Sequence, residues 1–157
     1  VSAEHLQQLL ALYGPGLEAE VSLLQQLQRL SHSQREALDG QDAELIGRIV
    51  EERDRVMAAL VTVESNLKAT RHELAANREA VSGLAGFAEI SQRHKTAADL
   101  VATIVNADQD TQQALRNAEV AHRFAVDTLN LAGATLAAYR RVVAPPVTGA
   151  GLVDRQG

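Results

Sequence analysis

The chain has 157 residues, a length that suits one domain, and its 46% hydrophobic content comes mainly from Ala, Leu and Val, with aromatics at only 3%. That palette belongs to helix–helix seams rather than to a core filled with rings. A net charge of −5 with interspersed signs excludes a basic nucleic-acid footprint or a basic membrane-surface helix, and the lack of cysteine excludes disulfides and thiolate metal sites.

In chain order, 3–12 (AEHLQQLLAL) reads as a short amphipathic helix. Tyr13-Gly14-Pro15-Gly16 is expected to break it, because proline disfavours helix in the residue before it and glycine is permissive. The first main helix is expected over 17–38, where Leu17, Val21, Leu24, Leu27 and Leu30 share a face and Gln34 weakens the stripe. Asp39-Gly40-Gln41 reads as a turn, and Asp42 as the N-cap of the next helix.

The second helix is expected over 43–81. Its seam runs Ile49, Arg53, Val56, Leu60, Val63, Leu67, Thr70, Leu74, Asn77, Val81, in alternating steps of four and three. Arg53 is expected to lay its stem on the seam and keep its charge in water, and Glu51 to pair weakly with Arg55. Ser82-Gly83-Leu84-Ala85-Gly86 punctuates the chain. A third helix is then expected over 91–143, its seam including Ala97, Val101, Ile104, Asp108, Thr111, Leu115, His122, Leu129, Leu136, Tyr139 and Val143. Unbroken, roughly 50 residues would reach about 75 Å. Asp108, Thr111 and His122 weaken the middle of this seam, and a helix with so weak a middle can be loosely ordered on its own. Pro145 and Pro146 end the helix, and 144–157 reads as a flexible tail after a single helical domain over 1–143.

The fold class is therefore all-α: an antiparallel bundle of three main long helices plus a short N-terminal helix, with coiled-coil-like packing. The second and third helices are expected to pair along most of the second, with the first covering part of them. The apolar seam left over would serve a dimer or another partner.

Chemistry is sparse. No apolar run approaches the roughly 18 residues of a membrane span, and no signal peptide is visible in a chain that starts at Val1. No zinc-protease motif, phosphate loop or nucleophile elbow occurs. Glu119-Val120-Ala121-His122 places a carboxylate and an imidazole on one helix side, as di-metal bundles do, but no second such pair occurs. His122 therefore reads as a solvated or seam-edge side chain, and no metal or cofactor is expected. Adjacent Glu51 and Glu52 diverge around the helix and form no acid pair. Tyr139 reads either as a packing ring with a wet hydroxyl or as a partner contact.

Residues 23–67 carry a leucine-rich helix, a leucine before a short turn, a D-x-E-x-L-like restart, then charged residues, an apolar stretch and a glutamate. The residues are Leu23, Leu24, Leu27, Leu30, Leu38, Asp42, Glu44, Leu45, Glu52, Arg53, Leu60 and Glu64. This pattern resembles the N-terminal half of the FlgN-type flagellar export chaperones. TLNLAGATLAAYRRVV (128–143) resembles that family's Leu-Asn segment and closing amphipathic helix. The resemblance implies a cytoplasmic, non-enzymatic chaperone. It would bind helical segments of flagellar hook-associated proteins and present them to a component of the type III export gate. It places cargo contacts in the C-terminal part, which maps to Leu115, Val126, Leu129, Leu136, Tyr139 and Val143. Helix-in-groove recognition would be the mechanism. The alternative is a self-associating structural or sensory bundle, homodimeric along the third helix, with no cargo.

Overall fold

The computed structural model describes residues 1–117 and, beyond them, Asn130, Gly133, Leu136, Ala137 and Tyr139. Val126, Leu129 and Val143, the Glu119/His122 pair and the tail 144–157 lie outside the described residues. Four helices are described: α1 (Ala3–Asp39), α2 (Ala43–Ala76), α3 (Arg78–Ser82) and α4 (Phe87–Asn117). No strand occurs among the described residues, and the all-α expectation holds.

The break expected at Tyr13–Gly16 does not occur, because α1 runs through Pro15. Proline removes one amide from the ladder, but its neighbour Gly14 has no Cβ to clash with the ring. Tyr13 and Leu17 are fully buried on either side and hold the turn in place. Ser2 caps α1 by accepting from the His5 amide at 3.1 Å.

At the other end, Asp42 N–H donates to the Ala37 carbonyl and Gln41 N–H to the Leu38 carbonyl, each at 3.0 Å. This is a Schellman closure. The left-handed residue is Gln41 (φ 54), while Gly40 is right-handed (φ −80). Asp42 caps α2 as expected, accepting from the Leu45 amide at 3.0 Å. The expected helix over 43–81 is interrupted at Asn77, whose side chain donates to the Glu73 carbonyl at 2.9 Å.

The helix α1 is the hub of the molecule, packing along both α2 and α4. This corrects the expected dominance of the second and third helices. Contacts such as Tyr13–Arg71 and His5–Glu73 set α1 and α2 antiparallel. Tyr13–His94 and Ser31–Asp108 set α1 and α4 parallel. A single straight helix over 91–143 is excluded. A Cβ built on Gly133 would lie 3.3 Å from Gln112 Nε2, whereas 21 residues of straight helix would separate these positions by about 32 Å.

Three apolar clusters succeed one another along α1. One joins Leu6, Leu10, Leu17, Leu67 and Leu74. The second joins Leu24, Leu27, Leu60, Ile104 and Leu136. The third joins Ala37, Leu38, Ile46, Ile49 and Leu115. Buried charged and polar side chains separate them.

Candidate functional site

The first polar layer is set into the first apolar cluster and reaches its border with the second. It takes Tyr13 and Glu20 from α1, Glu64 and Arg71 from α2, His94 from α4, and Tyr139. None of the six is more than 1% exposed. Arg71 is the centre. Its Nε donates to the Tyr13 hydroxyl at 2.7 Å, Nη2 donates to Glu20 Oε2 at 3.2 Å, and Nη1 donates to Glu64 Oε1. Tyr139 donates its hydroxyl proton to Glu20 Oε1 at 2.8 Å. The Tyr13 oxygen and His94 Nε2 are 2.7 Å apart. Tyr13 accepts from Arg71, and its own buried proton is satisfied when His94 Nε2 accepts it as a hydrogen bond, which puts the ring proton on Nδ1.

Burial and the nearby Arg71 charge lower His94 from 6.5 to about 3, so the ring stays neutral across the physiological range. Burial likewise raises Tyr13 and Tyr139, with the Glu20 charge adding to both effects, and both phenols stay protonated. Burial also raises Glu64 above its ordinary range, against the attraction of Arg71.

The second layer separates the second and third clusters. Arg53 forms a two-pronged ion pair with Asp108, Nη2 to Oδ2 at 2.6 Å and Nη1 to Oδ1 at 3.1 Å. Ser31 donates to Asp108 Oδ1 at 3.0 Å and also accepts from Arg53 Nη1. Gln34 is buried beside Ser31 on α1 with neither side-chain amide atom bonded. Thr111 is buried because its hydroxyl donates back to the Ala107 carbonyl at 2.9 Å.

Several expectations are corrected here. The Arg53 charge is not in water but fully buried. The weak seam positions Asp108 and Thr111 are buried, and Asp108 is ion-paired. The Tyr139 hydroxyl is not wet. The weak Glu51–Arg55 pair is present as expected, at 4.0 Å, and Arg55 sits closer still to Glu52 at 2.8 Å.

Of the candidate partner contacts, the described ones are core residues: Leu115 in the third apolar cluster, Leu136 and Tyr139 in the second. Leu136 and Gly133 also line a surface groove of about 370 Å³ with Val105, Asp108, Gln112 and Asn130. A second groove of about 420 Å³ runs beside Pro15, between Gln7, Gly14, Glu18, Gly86 and Arg93. Among the described residues, no group of His, Asp and Glu side chains could hold a metal ion, and no helix is long and apolar enough to cross a membrane.

Sequence reasoning missed Tyr13, Glu20, Glu64, Arg71 and His94. The signal was present in spacing. The buried positions of α1 run Leu6, Leu10, Tyr13, Leu17, Glu20, Leu24, Leu27, Ser31, Gln34, Leu38, an unbroken alternation of four and three. No family model matches the chain, and no curated protein or solved structure matches it significantly.

Proposed function

We propose that the chain is a non-catalytic cytoplasmic chaperone that binds helical segments of flagellar hook-associated proteins and delivers them to a component of the type III export gate. It would act as a helical bundle. The reading rests on the FlgN-type resemblance of 23–67 and 128–143. The observation that supports it best is the α1–α2 hairpin. The leucine, turn and Asp42 restart of the resembling pattern coincide with its tip, and Leu24, Leu27, Leu38, Leu60 and Glu64 of that pattern are buried.

Cargo would be read as a helix in a groove, through anchors three and four residues apart. Leu115, Leu136 and Tyr139 are core residues, so a cargo helix reaching them must replace intramolecular packing. That exchange offsets part of the binding energy and keeps capture reversible.

The test is capture of purified hook-associated proteins from the source organism on the immobilised chain, wild type against Leu129→Asp. One of them is expected to bind, with binding lost in the variant and helicity retained. Wild-type affinity in the variant would sink the mapping. No capture, together with a concentration-dependent dimer in sedimentation, would replace this reading with the self-associating bundle.

A further inference from the structure

We propose that Glu64 carries the proton of the Glu20–Glu64 pair, on Oε2, and that this buried proton is a latch between α1 and α2 that opens as pH rises. Glu20 on α1 and Glu64 on α2 meet on one guanidinium, Arg71. Among the described residues, the other groups facing them are Tyr13 from α1, His94 from α4, and Tyr139. His94 accepts a hydrogen bond from Tyr13 and is neutral; both phenols are donors and neutral. Two ionised carboxylates would therefore leave one uncompensated negative charge in a site no more than 1% exposed, a costly state.

Geometry then selects the acid. Both Glu20 oxygens accept hydrogen bonds, from Arg71 and from Tyr139, as an ionised carboxylate does. Glu64 accepts only at Oε1, and Oε2 has no partner of its own. A proton there neutralises the layer and makes Glu64 a donor towards Glu20, the neighbour whose hydrogen bonding raises it. Burial is the main cause raising Glu64; Arg71 opposes it, and Glu20 adds both repulsion and that hydrogen bond.

When the O–H bond breaks, the proton passes to water and the electron pair stays on Oε2. Two carboxylates then repel across one guanidinium. An acid raised on folding contributes most stability below its unfolded value, and that stability is lost as pH rises towards the folded value. His94 is lowered instead, so its titration lies on the acid side and does not mask the effect.

The chain has two tyrosines and no tryptophan, and both tyrosines belong to this layer. Tyrosine fluorescence of the full chain therefore reports on it alone. Carbon NMR of side-chain-labelled glutamate should show one carboxyl titrating well above the rest, accompanied by a change in tyrosine emission. Glu64→Gln, an isostere of the protonated acid, should abolish both and remove the loss of stability on the alkaline side. Glu20→Gln should lower the late titration by removing the anionic neighbour. The proposal is overturned if every glutamate titrates in the ordinary range, if the late titration survives Glu64→Gln, or if Glu20→Gln leaves it where it was.

Discussion

A neutral histidine inside a folded chain has a definite thermodynamic consequence. His94 is held near pKa 3 while its unfolded value is about 6.5, so between those values the unfolded chain binds a proton that the folded chain refuses. Stability conferred by the neutral ring is complete above the unfolded value and is lost as pH falls below it. At about pH 5 the gap from the unfolded value is about 1.5 units, which at about 1.36 kcal/mol each amounts to about 2 kcal/mol. His94→Gln keeps an acceptor for the Tyr13 hydroxyl but cannot titrate. The stability difference between wild type and His94→Gln, from urea unfolding, should shift by about 2 kcal/mol against the wild type between about pH 7.5 and pH 5. A constant difference would show that the ring is protonated in the fold, and that the Tyr13 hydroxyl proton points elsewhere. At the α1–α2 turn another residue works against its own preference. Gln41 occupies a left-handed conformation that costs a side chain about 1–2 kcal/mol, beside a glycine that does not use it. Gln41→Gly should raise stability by up to about 1 kcal/mol in the same assay.

The helices themselves were largely legible. The α4 seam predicted from spacing contains Ala97, Ile104, Asp108, Thr111 and Leu115, all buried. The turn at 39–41 and the Asp42 cap were legible because their chemistry is local. Pro15 misled because tertiary packing outweighed its local cost, although Tyr13 keeps the four-three rhythm on both sides of it. In α2 the strict rhythm pointed to Val63 and Thr70, but these are half-buried, and Glu64 and Arg71 are buried instead. Leu60, Glu64 and Leu67 are spaced four and three after a preceding step of four, a stutter that lets the seam follow the natural 3.6-residue turn. Charged side chains concealed that shift, since such residues are normally read as surface. Close approach of α1 and α2 gives a pair of opposite predictions. A Cβ at Gly16 would meet Leu67 Cδ2 at 2.5 Å, while one at Gly47 would meet nothing within 4 Å. Gly16→Ala should lose about 1 kcal/mol net, overpacking of about 1–3 kcal/mol outweighing helix propensity. Gly47→Ala should gain about 0.5–1 kcal/mol. Equal effects at both sites, by thermal or urea unfolding, would mean that Leu67 yields without strain.

At the scale of the whole molecule, the alternation of apolar clusters with polar layers answers a problem that the heptad grid creates. A leucine and alanine seam repeating every seven residues matches itself again after a slip of about 10 Å, so apolar burial alone distinguishes registers poorly. The Arg53–Asp108–Ser31 layer does not repeat along the seam, and it joins all three long helices. A slip would bury Arg53 and Asp108 apart from one another, at a cost of several kcal/mol. The layer itself adds little stability: Arg53 Nε and the Gln34 amide are buried without partners. Its value is therefore specificity, and the two quantities can be separated. Arg53→Leu alone strands Asp108 and should lose about 3–5 kcal/mol in urea unfolding. Replacing the layer together, with Ser31→Ala, Arg53→Leu and Asp108→Leu, should recover that loss and could add about 1–4 kcal/mol. The triple variant should then show more than one set of amide peaks in a nitrogen–proton correlation spectrum, where the wild type shows one. A single set of peaks in the triple variant would instead assign the register to the Arg71 layer, the closure at Gly40–Gln41 and the link at 83–86, and leave the Arg53 layer as a cost without that return.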